Sequence, residues 1–218
     1  MTPFQSIDTA AVPIVQPNFD TDQIIPSRYL QKLRENDFGV YLFRDLRFRE
    51  DGSENPDFVV NQPAYRQGRA IVAGRNFACG SSREHAVWAL CDYGFRAVIA
   101  PSFGDIFFSN ALKNGLLPIV LPERAVADLL AAIEAAPGSR IRIDLVTQTV
   151  TAPGGTAYTF FIDPFSKHCL LNGIDEIDYT LGYLDRIEEF EERHGKLPSA
   201  CPRQPCSLSM TQSSENRK

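Results

Sequence analysis

The sequence predicts an α/β fold: a mixed sheet with a parallel strand–helix–strand core. Short β-prone apolar runs alternate with helically spaced segments between Arg69 and Leu121, which implies right-handed crossovers. Two alternating segments flanking Pro-Gly-Gly at 153–155 give a hairpin signal, and hairpins pair antiparallel. With 218 residues, 44% of them hydrophobic, the chain has material for a sizeable core.

The early part of the chain has the weaker periodicity. AAVPIV (10–15) reads as a strand, PNFDTDQIIPSRYLQKL (17–33) as turn-rich and then helical, and DFGVYLFRDLRFRE (37–50) has helical apolar spacing. DGSENPD is a loop. RAIVA (69–73) is then a strand, GRNFACGS a glycine-bearing loop, and SREHAVWALCDY (82–93) a helix closed by Gly94. The pattern repeats with FRAVIA (95–100), PSFG, DIFFSNALKN (105–114) ended by Gly115, and LLPIVL (116–121). PERAVADLLAAIEAAPG (122–138) is a helix opened by Pro122 and closed by Gly138. RIRIDLVTQTV and TAYTFFID form the hairpin arms, and PFSKHCLLNG and TLGYLDRIEEFEERHG read as helices, the last with acidic residues on its solvated side. Residues 1–197 are read as one domain, and the polar, Pro- and Ser-bearing stretch 198–218 as a disordered tail.

A formal net charge of −5 leaves no basic excess to displace counterions from phosphates, which argues against a nucleic-acid partner. No run of about 18 apolar residues suggests a membrane span. The N-terminus lacks the basic start and apolar core of a signal peptide, so the expected location is cytoplasmic. Five scattered cysteines fit reduced thiols, and neither Cys-x-x-Cys nor a His/Cys cluster with metal-ligand spacing occurs. No internal repeat, P-loop or Gly-x-Gly-x-x-Gly fingerprint is present.

The chemistry-bearing stretch is NFACGSSREHAVWAL (76–90), placed on the first strand-to-helix loop, where α/β folds carry their functional residues. Ser81 and Glu84 match a Ser-x-x-Glu capping box. The same string suits an anion: Gly80 permits close approach, the helix start offers unpaired N–H donors, and Arg83 can fork onto a carboxylate. A Ser81/His85 hydrolase pair and a Cys79 thiolate are the competing nucleophiles, the first weakened by the absence of Gly-x-Ser-x-Gly. His85 and Cys91 lie among apolar residues and read as packing.

CGSSREHA (79–86), SFGDIFFSNALKNGLLPI (102–119) and NFDTDQIIPSRYL (18–30) together resemble the small subunits of 3-isopropylmalate dehydratase, relatives of the aconitase swivel domain. The resemblance spans roughly residues 1–195. It implies an aconitase-like swivel domain (β/β/α) and a hydro-lyase of leucine biosynthesis that interconverts 2- and 3-isopropylmalate through a dehydrated intermediate. By the same resemblance Ser81 is the base, Ser82 and Arg83 hold substrate carboxylate, and Arg28 is a second carboxylate-binding arginine, with Arg34 its rival. Glu84 and His85 support; Asp20 and Asp22 shape the early loop rather than touch an anionic substrate. No cofactor is implied for this chain: a [4Fe–4S] cluster is expected on a large-subunit partner, and the substrate is a small dicarboxylate. Small subunits of homoaconitase or of citraconate/methylmalate hydratase are the alternative.

Overall fold

A computed structural model describes residues 1–34, 37–80 and 83–194. They form two compact units, the first spanning Met1–Tyr179 and the second beginning at Thr180. The stretch 198–218, read from sequence as a tail, lies outside the described residues.

In chain order the elements are β1 (Ser6–Ile14), α1 (Thr21–Ile24), α2 (Arg44–Arg47), β2 (Ala70–Ala73), α3 (Glu84–Tyr93), β3 (Ala97–Ala100), α4 (Asp105–Lys113), β4 (Leu117–Val120), α5 (Glu123–Ala135), β5 (Arg140–Asp144), β6 (Thr149–Thr151), β7 (Ala157–Thr159), α6 (Pro164–Asn172), α7 (Glu176–Leu181) and α8 (Leu184–His194). Among the described residues the strands make one mixed sheet in the order β4-β3-β2-β1-β5-β6-β7. The half from β4 to β1 is parallel, and β5, β6 and β7 add antiparallel pairs. The α/β expectation with a parallel core holds.

Strand β1 joins the two halves. Its first five residues pair antiparallel with β5, from Ser6↔Asp144 to Ala10↔Arg140, and its last four pair parallel with β2, from Ala11↔Ala70 to Ile14↔Ala73. Burial follows this division. AIVA in β2 and AVIA in β3 are buried at every position, as strands covered on both faces must be, whereas RIRID in β5 buries only Ile141 and Ile143 among its outward-facing arginines. The β2–α3–β3 and β3–α4–β4 crossovers advance in the same direction, so right-handed connections put α3 and α4 on one face, where they pack together. Helix α5 buries Ala125, Val126, Leu129, Leu130 and Ile133, at helical spacing, and packs on β1, β2 and β3.

Three readings need correction. The arm RIRIDLVTQTV is two strands, because the Asp144 carboxylate accepts the Thr147 N–H at 2.9 Å and Gln148 takes a left-handed φ of 54°. Alternation continues on both sides of that turn, so periodicity does not reveal it. The helical spacing of 37–50 also breaks, into a 3₁₀ turn at Phe38–Tyr41 and the single turn of α2, separated by Phe43 at φ 49°. Tertiary bonds impose the break: Phe43 N–H donates to Ile24 C=O at 2.7 Å, and Phe38 N–H to the Asp92 carboxylate at 3.0 Å. Finally, TLGYLDRIEEFEERHG is not one helix; α7 ends at Leu181, before Gly182 and the start of α8.

Asp92, in the last turn of α3, organises the 26–48 segment. Besides the Phe38 N–H it takes both Nη groups of Arg34, at 2.8 and 3.0 Å, while that guanidinium lies 5.1 Å from the Trp88 ring centroid. The peptide it serves is buried, since Phe38 is fully excluded from solvent. Asp92→Ala is therefore expected to lower stability by about 1–3 kcal/mol, the cost of a buried donor left unpaired, read from denaturant midpoints. A change within about 0.3 kcal/mol would mean the segment does not depend on this anchor.

Candidate active site

The parallel half of the sheet presents three loops at its carboxyl edge: 15–20 after β1, 74–80 after β2 and 101–104 after β3. The middle loop is laced to both neighbours by backbone hydrogen bonds. On one side Cys79 N–H donates to Phe19 C=O at 3.2 Å, Thr21 N–H to Cys79 C=O at 3.0 Å, and Asn18 N–H to Arg75 C=O at 2.9 Å. On the other side Phe77 N–H donates to Ser102 C=O and Gly104 N–H to Phe77 C=O, both at 3.0 Å. Parallel pairing thus continues past the strand ends as bridges Asp20↔Cys79 and Phe77↔Phe103.

The alternation of side chains in this loop is carried by backbone conformation. Asn76, Ala78 and Gly80 have φ of 57°, 56° and 92°, and Phe77 between them is buried, stacked on Phe19 at 5.7 Å and edge-on to Phe107 at 5.7 Å. A left-handed alanine is costly and persists only where its surroundings impose it. The Ala78 carbonyl does meet a wall: a Cβ at Gly104 would come within 2.5 Å of it. At Gly80 a Cβ would lie 2.2 Å from Asp20 Oδ2, so the start of the Gly-Ser-Ser-Arg string is seated directly on that carboxylate.

Asp20 is in turn fixed by a capping box on α1. Its Oδ1 accepts the Asp22 N–H at 2.7 Å, and Gln23 Oε1 accepts the Asp20 N–H at 2.9 Å. The Asp-x-x-Gln spacing in DTDQ carried that signal in the sequence. Two residues on, the Asp22 carboxylate accepts from Arg83 Nη1. Arg83 is mostly covered (19% side-chain exposure) whereas Asp22 is open (52%), so the early loop grips the guanidinium by one nitrogen at the solvent edge. The aspartates do shape the loop, and Asp22 does so by touching the arginine.

Ser81 and Ser82 lie outside the described residues. The expected capping box of Ser81 with Glu84 therefore also lies outside them; helix α3 begins at Glu84, and Arg83 is its N-cap, without a side-chain capping bond. Glu84 occupies the first helical position instead of the third. Its Oε1 accepts from Asn114 Nδ2 at 2.8 Å. His85 packs against Trp88 (4.6 Å) and Phe38 (5.5 Å), and loss of solvent pushes its pKa down, which favours the neutral ring. The other arginine candidates have carboxylate partners of their own. Arg28 is paired with Asp45, Nη1 to Oδ2 at 2.9 Å, and lies over the Tyr29 ring at 4.8 Å; Arg34 is held by Asp92.

Among the described residues no three His, Cys, Asp or Glu side chains converge as metal ligands, and no helix is long and apolar enough to cross a membrane. Burial raises the Cys91 thiol to about 11, and Cys169 is likewise buried and raised; neither is poised as a thiolate. What remains is a backbone-bonded loop at the carboxyl edge and a helix start whose arginine engages one nitrogen among the described residues. Such a place suits a small carboxylate.

The family model described as the aconitase C-terminal domain matches residues 1–124, and a second, LeuD_N, matches 127–164. The 3-isopropylmalate dehydratase small subunits of Paramagnetospirillum magneticum and Neisseria gonorrhoeae are each 49% identical to this chain, over 192 and 202 residues. Each alignment covers 88% of this chain, with 96% and 95% of the respective relative. The crystal structure of a 3-isopropylmalate dehydratase (leuD) from Methanocaldococcus jannaschii superposes with a TM-score of 0.59 at 27% identity, covering 87% of this chain and 99% of that one. With an aconitase C-terminal domain over more than half its length and relatives this similar along most of the rest, the chain belongs to the family of 3-isopropylmalate dehydratase small subunits.

Proposed function

We propose that this chain is the small subunit of a two-chain hydro-lyase that isomerises 2-isopropylmalate to 3-isopropylmalate by dehydration and rehydration. The observation that carries the reading is Arg83, set at a helix start on the carboxyl edge with one guanidinium nitrogen on Asp22 and, among the described residues, no other hydrogen-bond partner. Family membership supports the reaction class.

In this reading a substrate carboxylate takes the free donors of Arg83, joined by the Ser82 hydroxyl and by first-turn N–H groups of α3. Ser81 removes the proton on the carbon beside that carboxylate. Its alkoxide is stabilised by the same donors and the positive helix end, and the carboxylate spreads the developing negative charge. Asp22 keeps the guanidinium oriented before substrate arrives. Arg28 serves as the second carboxylate arginine by releasing its exposed pair with Asp45, a bond between half-exposed groups whose loss costs little. The hydroxyl leaves on the other wall of the site, where a [4Fe–4S] cluster held by a large subunit would supply Lewis-acid chemistry. The base that accepts the carbon-bound proton and the acceptor of the leaving hydroxyl are thus divided between two chains.

Mixing this chain with a cluster-bearing large subunit should give turnover of isopropylmalate, followed through isopropylmaleate absorbance. Robust turnover by this chain alone overturns the two-chain reading. In the complex Ser81→Ala should lower kcat by at least about 10²-fold, and normal turnover by that variant removes the serine from its role as base. Gly80→Ala should cut kcat/KM by about tenfold or more, because the added methyl meets the Asp20 carboxylate and displaces the loop. Wild-type kinetics in Gly80→Ala would show that the seating of this loop is not needed. Arg83→Lys should raise KM by about tenfold, since an ammonium cannot fork onto a carboxylate, and an unchanged KM excludes Arg83 from substrate binding.

A further inference from the structure

One side of the reactive string is held by Asp20 and Asp22; a different part of the chain holds the other. Asn114 is the C-cap of α4, on the turn that leads through Gly115 into β4. Its side chain makes three bonds. Nδ2 donates to Glu84 Oε1 at 2.8 Å and to the Asn110 carbonyl at 2.9 Å, and Oδ1 accepts from Trp88 Nε1 at 3.1 Å. Glu84 and Trp88 are four residues apart, on one face of α3, so a single amide bridges the helix's first turn to its second. The Asn114 carbonyl also accepts from the Cys91 thiol at 3.7 Å.

This arrangement goes beyond the ordinary tying of two helices. Arg83 has no side-chain capping bond to locate the start of α3, and Glu84 is the next residue. Rotation or fraying of the first turn would swing Arg83 away from Asp22 and shift the donors on which the base and the carboxylate both depend. Glu84 at the first helical position is already favoured by the helix dipole, and the Asn114 amide converts that diffuse preference into one fixed direction. The anchor itself is firm, because the backbone N–H of Asn114 closes α4 on Asn110 and Ala111, at 3.1 and 3.2 Å.

We propose that Asn114 is a positioning residue for the reaction: acting through Glu84, it sets the first turn of α3 and so the placement of Arg83 and the preceding string. The proposal rests on the functional reading above. Asn114→Asp keeps an acceptor for Trp88 but sets a carboxylate against the Glu84 carboxylate. Adding Glu84→Gln restores a bond of reversed polarity, the new amide donating to the new carboxylate. Both variants lose the bond to the Asn110 carbonyl, so the difference between them isolates the link to Glu84.

The test uses the reconstituted two-subunit complex, with kcat and KM measured for wild type, Asn114→Asp, Glu84→Gln and the double variant, and Tm for each. Asn114→Asp is expected to lower kcat by about tenfold or more with a smaller change in KM, and the double variant to recover most of that loss. Trp88 is the chain's single tryptophan, so its indole N–H resonance reports directly on whether the bond to residue 114 survives in each variant. A wild-type rate in Asn114→Asp with a folded chain overturns the proposal, as does a loss that the double variant does not relieve. If Asn114→Asp fails to fold, the double variant decides alone: activity within about threefold of wild type upholds the link, and a folded but inert double variant ends it. An inert wild-type complex is a separate result, which overturns the functional reading and the positioning role with it.

Discussion

Everything that positions chemistry in this protein depends on parallel backbone pairing that does not stop where the strands do. Bonds between 75–79 and 18–21 on one side, and between Phe77 and 102–104 on the other, carry the sheet's order into loops that would otherwise be free to move. A loop whose N–H and C=O groups are spoken for on both edges cannot shift without breaking several bonds together. Its left-handed residues at 76, 78 and 80 are the conformational cost of that pairing, and Phe77, buried between Phe19 and Phe107, offsets part of it.

On that platform two aspartates hold the loop and the arginine at the start of α3. Asp20 is turned inward, spent on the α1 cap and pressed against Gly80, while Asp22 reaches Arg83 from the solvent edge. One carboxylate is occupied by a backbone donor and the other by the guanidinium it orients. Asn114 works from the opposite side through a neutral amide, which holds Glu84 without adding charge.

The described cysteines are dispersed over a loop, a helix core and α6, and two of their thiols are raised by burial. The residues that do converge are Arg83, two loop aspartates and a helix start, in a chain that belongs to the small-subunit family.

By itself the sequence determined the α/β class, the succession β2–α3–β3–α4–β4, the helix of 123–135 and the loop on which the reactive string falls. Each of these is written in local periodicity and in Gly or Pro punctuation, which depend on neighbours three or four positions away. The motif strings sufficed to indicate the family before any contact was known. Tertiary structure decided what periodicity cannot encode: the break at Phe43, the turn at 145–148, the start of α3 at Glu84, and the partners of Arg28, Arg34, Arg83 and Asn114. The Glu84–Asn114 bond shows why. Its members lie 30 positions apart and nothing in either neighbourhood announces the other, so the bond exists only because two crossovers of the same hand bring α3 and α4 side by side.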